Sequence, residues 1–411
     1  MLTQLFPKTF KQYSSLPLLG SIADDFSKRL LQQGYQEGSV CNQLRTIIRI
    51  DKSLRQCGVK RLEEITRESL HAFLPAKSQD DRLLAGTIRA LERFLYEKRL
   101  LSSPKDDPPS RTGMLLLLYT AYLKEVRAFA DSTISHHRFT TSQFLDHLNY
   151  ESNPYSLSTL NSVNVEKFVR TSGVKYSRGT LQHIVANVRG FLRFLSTKGI
   201  IAHGLDTQID TSRVYRLEQL PHSLPWDKVC ALLSSIDQTT SMGLRDYTML
   251  FLIATYGLRT CEIVTLTLDD IHWREGWIQI PQRKTDSCLA LPLTDEAGTV
   301  LLKYLKHGRP SLPYRELFLR VRAPAGRLKP AAVTEVFQGC VRRSGIDIKF
   351  QGPHCIRHSF AVHLLRQGTS LKVIGDLLGH RSAESTCVYL RLATDDLRDV
   401  ALPLPQENIN Q

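Results

Sequence analysis

A chain of 411 residues is too long for one compact core and fits two or three domains of ordinary size. Lys and Arg number 54 against 40 Asp and Glu, a formal charge of +14, so the surface favours polyanions. No charged leader with an apolar core opens the chain, and no apolar run approaches the ~20 residues of a membrane span. The eight cysteines are scattered without a C-x-x-C pair. These features exclude a disulfide scaffold and a membrane protein and predict free thiols in a reducing cytoplasm.

From the N-terminus, the first break is Ser102 to Gly113 (SSPKDDPPSRTG), where proline, charge and glycine displace apolar periodicity. The second, from Ala202 to Pro225, has isolated apolar residues without a period and ends in LPHSLP, an extended connector. Three domains are therefore expected, at residues 1–103, 113–205 and 215–411. The first two are helical by pattern, with apolar residues three and four apart. They also resemble each other: IRALERFLYEKRLL from Ile88 lies over VRGFLRFLSTKGII from Val188. Arg89 matches Arg189, Arg93 matches Arg193, Phe94 matches Phe194, Leu95 matches Leu195 and Lys98 matches Lys198. Upstream, RLEEITRESLHAFL from Arg61 parallels STLNSVNVEKFV from Ser158, so residues 1–103 are read as a duplicate of the second module. Basic residues four apart share a helix face, which makes Arg89, Arg93 and Lys98, and their counterparts Arg189, Arg193 and Lys198, candidate phosphate contacts. A solvated basic face is the plainer alternative.

In the third segment DKVCALLSSI and RDYTMLFLIATYG read as helices, the former preceded by Pro225. Trp277 to Ile280 and Leu289 to Leu293 are short β-prone runs joined by PQRKTDSC, a hairpin with Lys284 in or beside its turn. Helices then resume. Ser370 and Gly379 bracket LKVIGDLL as cap and stop, leaving His380 just past a helix end, and STCVYLRL has the length for another turn or two.

Four separated signals carry chemistry: GLRTCE around Arg259 and Glu262, the hairpin Lys284, HCIRH around His354 and Arg357, and LGH followed nine residues later by Tyr389. Taken singly, each has a plain explanation: an exposed ion pair, a solvated lysine, a polar stripe and a core aromatic. The cluster His354, Cys355, His358 and His363 does not amount to a closed set of metal ligands, and no G-x-x-x-x-G-K-[ST] loop is present, so neither metal nor nucleotide is expected.

In this order and spacing the four signals resemble the catalytic domain of the tyrosine recombinase or phage integrase family, which includes the Xer proteins and Cre. The stretch HCIRHSFAVHLLRQGTSLKVIGDLLGHRSAESTCVYLRL from His354 follows that pattern, and ATYGLRTCEIVTLTLDDI matches its first arginine box. The resemblance covers about residues 225 to 400, and 113 to 205 resembles, more loosely, the helical core-binding domain that precedes it. Residues 1 to 103 depart from the shorter members, which have one such domain. The implied fold is mainly α, with tandem SAM-like core-binding domains and an α-rich catalytic domain carrying a small antiparallel sheet.

The chemistry accounts for these residue types. Attack on a phosphodiester builds a doubly charged five-coordinate transition state, which two guanidinium forks, Arg259 and Arg357, can grip in place of metal ions. By resemblance, Tyr389 is the nucleophile that forms a 3′-phosphotyrosine, Glu262 orients the arginines, Lys284 protonates the leaving 5′-oxygen, and His380 donates to a non-bridging phosphate oxygen. The family fills that last position with histidine or tryptophan. His354 is the expected base for the tyrosine proton, since histidine suits that transfer at neutral pH. No cofactor is implied, because the tyrosyl ester conserves the energy for resealing. The resemblance further implies double-stranded DNA as partner, four protomers in a synapse, a Holliday-junction intermediate and a bacterial, nucleoid-associated enzyme. Integration, excision or transposition of a mobile element is the expected role, with companion recombinases or a directionality factor left open. The rivals are a type IB topoisomerase and a DNA-binding protein with a decayed site.

Overall fold

The computed structural model describes residues 1–75, 81–101, 110–211, 221–282, 287–350, 352–380 and 382–392. The chain divides into two compact units, one joining Met1–Phe94 to Gln219–Gln411 and the other spanning Leu95–Glu218. The first and third segments of the sequence thus cluster together, a grouping with no signal in the sequence. One point of union is a backbone hydrogen bond from the Ala325 N–H to the Gln33 carbonyl, 2.8 Å.

The N-terminal segment begins with two short helices, α1 (Leu2–Leu5) and α2 (Phe10–Ser14), then α3 (Gly20–Gln32) and α4 (Glu37–Gln56). A 3-10 turn (Leu62–Glu64), α5 (Arg67–His71) and α6 (Arg82–Glu97) complete it. Its core is the apolar stripe of each helix, including Phe26 and Leu30 of α3 and Leu44, Ile47 and Leu54 of α4. The unit from Leu95 contains α7 (Arg111–Glu125), α8 (Asp131–His147), a 3-10 turn (Pro154–Ser156), α9 (Ser162–Lys175) and α10 (Arg178–Thr197). Its core gathers Tyr119, Phe144, Phe168, Phe191 and Phe194.

From α3 onward the two segments share one order: two helices, a 3-10 turn, then two helices. The turn is followed in each by a helix with a side-chain cap, Thr66 in α5 and Asn161 in α9, each closing a reciprocal bond with the residue three positions on. The parallel drawn upstream in the sequence therefore falls on equivalent elements. Phe94 and Phe194 are both buried, as are Leu95 and Leu195.

The C-terminal segment is built around α12 (Ser241–Tyr256), which is apolar on nearly all sides and therefore interior. α11 (Trp226–Ser234), with Pro225 as its N-cap, precedes it, and α13 (Thr260–Thr265) follows. Strands β1 (Ile271–His272), β2 (Trp277–Gln282) and β3 (Ser287–Pro292) form an antiparallel sheet in that order, with Trp277 opposite Pro292 and Gln282 opposite Ser287. The expected hairpin is present with longer strands. β1 and the two-residue strands β4 (Leu319–Arg320) and β5 (Gly326–Arg327), which pair with each other, have no counterpart among the elements expected from the sequence. The remaining elements are α14 (Asp295–His307), α15 (Pro330–Ser344), α16 (His354–Arg366), α17 (Leu371–Leu378), α18 (Ala383–Cys387) and a 3-10 turn over Val388–Leu392. Ser370 caps α17 and Gly379 closes it, as the sequence indicates. The eight cysteines are unpaired, and no described helix is long and apolar enough to cross a membrane.

Candidate active site

Arg259 is the N-cap of α13 and Glu262 its third residue, so helix geometry itself brings them together. The Glu262 carboxylate accepts the Arg259 backbone N–H at 2.7 Å and the guanidinium Nη1 at 2.7 Å. Glu262 is 4% exposed and the Arg259 side chain is partly exposed, so this is a half-buried pair rather than the fully exposed one that the spacing also allows. Nη2 of Arg259 reaches the Gly379 carbonyl at 3.4 Å.

Arg357 comes from α16 and is 2% exposed. Its guanidinium donates through Nη1 to the carbonyl of Gly257, at the end of α12, and through Nη2 to that of Leu378, at the end of α17, 2.7 Å. Helix C-termini have spare carbonyls and a partial negative charge, which suits a cation. Burial, and then the charge of Arg259, lower the Arg357 pKa to about 10, so the group remains charged at neutral pH.

Tyr389 is 2% exposed, and its hydroxyl lies 3.0 Å from Nδ1 of His358. Its ring stacks against that of His380, with centroids 6.3 Å apart and planes at 15°. Burial raises the phenol pKa, while Arg357 and then Arg259 oppose the rise. His358 is held down to about 3, by burial first and next by its neighbour His354. His380 is held down to about 4, by burial and then by Arg357 and Arg259. Both imidazoles are therefore neutral near pH 7. His354, one helical turn before His358, has its ring edge-on to it at 4.5 Å and is itself exposed. α16 is joined to the connector, since the Ser359 hydroxyl accepts the Leu224 N–H at 2.7 Å.

A buried arginine, a second, partly exposed arginine paired with a buried carboxylate, neutral histidines and a buried tyrosine in one place are groups that can grip and transfer a phosphoryl group. Comparison with known proteins agrees with that geometry. The phage integrase family profile matches residues 223–395, and the phage integrase N-terminal SAM-like domain matches 116–199. The integrase/recombinase y4rA of Sinorhizobium fredii is 32% identical over 386 residues, covering 93% of either chain. The chain belongs to the tyrosine recombinase family. A second relative, the tyrosine recombinase XerD of Listeria monocytogenes, is 36% identical over 250 residues, 60% of this recombinase and 82% of XerD. Among solved structures, XerH bound to palindromic difH substrate aligns with a TM-score of 0.55 at 18% identity, covering 75% of this chain and 93% of that one. A lambda integrase tetramer bound to a Holliday junction aligns at 0.52 and 18% identity, covering 74% and 88%. The overall architecture, mainly helical with small antiparallel sheets, is the one the resemblance implied.

In this recombinase Arg259, Glu262, Arg357, His380 and Tyr389 come together as the sequence indicated. Lys284 lies outside the described residues, although β2 and β3 lead directly to it. The group at the Tyr389 hydroxyl is His358 rather than the expected base His354; in sequence His358 stands out only as a member of the His354, Cys355, His358, His363 cluster. The available signal was its position, one helical turn beyond His354. Among the basic candidates outside the site, Arg189 donates to the Ile209 carbonyl and Arg193 pairs with Asp206 at 2.9 Å. The segment following α10 folds back onto these two residues, and the Arg193 side chain stays 54% exposed. Lys198, at the end of α10, is exposed, as are Arg89, Arg93 and Lys98 around α6. The Arg93 guanidinium also bonds the Arg89 carbonyl, 3.1 Å.

Proposed function

We propose that this recombinase exchanges strands of double-stranded DNA by metal-independent transesterification, with Tyr389 as nucleophile, in the integration, excision or transposition of a mobile element. The observation that carries the reading is the Tyr389 hydroxyl, 3.0 Å from a neutral imidazole in the field of Arg357 and Arg259. The phenolic oxygen attacks phosphorus, the bond to the 5′-oxygen breaks, and the tyrosine carries the 3′-phosphate. Its proton passes to an imidazole. His358 is the nearer acceptor, and His354 stands beside it, able to take the proton onward or to act directly once DNA reorders the site. Arg259 and Arg357 neutralise the equatorial oxygens, Glu262 orients Arg259, and Lys284 protonates the leaving oxygen. Resealing reverses these steps with a new 5′-hydroxyl. The relatives named above support a bacterial enzyme acting as a tetramer through a Holliday junction.

The test is a suicide substrate, nicked so that the cleaved 5′ fragment diffuses away, incubated in EDTA. The expected product is protein on a 3′-phosphate beside a free 5′-hydroxyl, abolished in Tyr389→Phe while DNA binding persists. Adduct formation by Tyr389→Phe, or an absolute need for magnesium, would overturn the reading. Junction intermediates on paired sites separate recombination from simple relaxation of supercoils.

A further inference from the structure

Thr386 lies on α18, three residues before Tyr389, and is 1% exposed. Its Oγ1 is 2.8 Å from Nδ1 of His380, and packs so closely on α17 that a Cβ built on Gly375 would stand 3.0 Å from it. Among the described residues, His380 Nδ1 is the hydrogen-bond partner recorded for this hydroxyl. A threonine hydroxyl has one proton to give, whereas each nitrogen of a neutral imidazole is either a donor or an acceptor. Had Nδ1 carried the imidazole proton, it would donate to Oγ1 and the threonine proton would be buried without an acceptor. An unsatisfied buried hydroxyl disfavours that arrangement by roughly tenfold or more in population. The satisfied arrangement has Thr386 donating to Nδ1, which leaves the imidazole proton on Nε2.

We infer that Thr386 is a positioning residue that fixes His380 as the Nε2–H tautomer, so that a neutral histidine presents an N–H donor to a non-bridging oxygen of the scissile phosphate. The inference rests on the phosphoryl-transfer reading above for the identity of the acceptor, though not for the tautomer. His380 is neutral at pH 7, held down to about 4 by burial and the two arginines, so it cannot supply that donor by taking a second proton. The tautomer thus decides whether the position offers a donor or a lone pair. A lone pair facing an anionic phosphate would repel it.

The experiment uses the full chain labelled with 15N-histidine and single-turnover cleavage of the suicide substrate. The His380 resonance, one of 13 histidines, is identified by its loss in His380→Trp. In the DNA-free wild type, Nε2 should carry the proton and Nδ1 should show the shift of an acceptor. Thr386→Val, which keeps the shape and loses the hydroxyl, should give a mixture of tautomers and slow cleavage in proportion to the Nε2–H fraction lost, about twofold for an even mixture. Thr386→Ser should restore the single tautomer and the wild-type rate. In the His380→Trp background, Thr386→Val should leave the rate unchanged, since the coupling it breaks is already gone. An Nδ1–H tautomer in the wild type would overturn the inference, as would an equal loss from Thr386→Val in both backgrounds, which would assign Thr386 to packing alone. The tautomer is read without DNA, whereas the recombinase reading fails only if the wild type forms no covalent adduct, so the two failures are separable.

Discussion

Replacing Gly257 by alanine should damage stability and chemistry together. Gly257 ends α12 with φ +63°, a left-handed conformation costing an alanine about 1–2 kcal/mol. A Cβ there would stand 2.5 Å from Leu378 Cδ2 and 2.9 Å from Phe360 Cδ1, so packed neighbours must retreat by up to about 1 Å, at about 1–3 kcal/mol. The sum is about 2–5 kcal/mol. Leu378 ends α17, Phe360 follows His358 on α16, and the Gly257 carbonyl receives the Arg357 guanidinium, so the same displacement reaches the arginine pair. A misplacement near 1 Å can slow a positioned reaction by about 10². Gly276→Ala is the control: φ is +70° at the turn between β1 and β2, with no atom within 4 Å of the added Cβ. It should lose about 1–2 kcal/mol and keep its cleavage rate. The three tryptophans, Trp226, Trp273 and Trp277, all lie in the C-terminal segment, so tryptophan fluorescence in a denaturant titration follows unfolding there. Single-turnover adduct formation supplies the rate. Equal denaturation midpoints for the two variants, or a wild-type rate in Gly257→Ala, would refute the packing argument and its link to Arg357.

Three further outcomes are expected. The folded pKa values of His358 and His380, about 3 and about 4, lie below an unfolded value near 6.5, so the stability they carry is complete above that value and is lost as pH falls towards 4. At pH 5 the unfolded chain gains up to ~2 kcal/mol per histidine, an upper bound for partly buried groups; a fluorescence midpoint in His358→Gln/His380→Gln as acid-sensitive as that of the wild type would contradict this. A 5′-bridging phosphorothiolate should rescue Lys284→Ala selectively, because sulfur leaves without a proton, and equal impairment on both substrates would assign that proton to another group. Deleting residues 1–108 should shorten the footprint and lower the salt slope of binding by about one per lost phosphate contact; loss of multimers with an unchanged footprint would make the segment a protein-interaction module.

Much of this architecture is legible in the sequence because it depends on local rules. Ser370 and Gly379 mark α17, the alternating runs around Lys284 mark β2 and β3, and a three-residue spacing sets Arg259 against Glu262. What escaped depends on packing. His354 and His358 are chemically alike in sequence, and only the face that α16 turns to the 3-10 turn of Tyr389 decides which one meets the hydroxyl. Arg189 and Arg193 read as a free basic stripe because the connector lacks a period that would show it returning to Ile209 and Asp206. The two-residue strands are too short for alternation to register, and the Gln33–Ala325 bond joins residues almost three hundred positions apart.

The two carbonyls beneath Arg357 bear on what the enzyme does when idle. A recombinase spends time away from its target, and a buried guanidinium with nothing to hold would then strain the fold or draw in water and loose anions. Here the ends of α12 and α17 accept from two of its five N–H donors. The backbone thus supplies part of the acceptor set that a buried cation requires, and holds the guanidinium in one orientation.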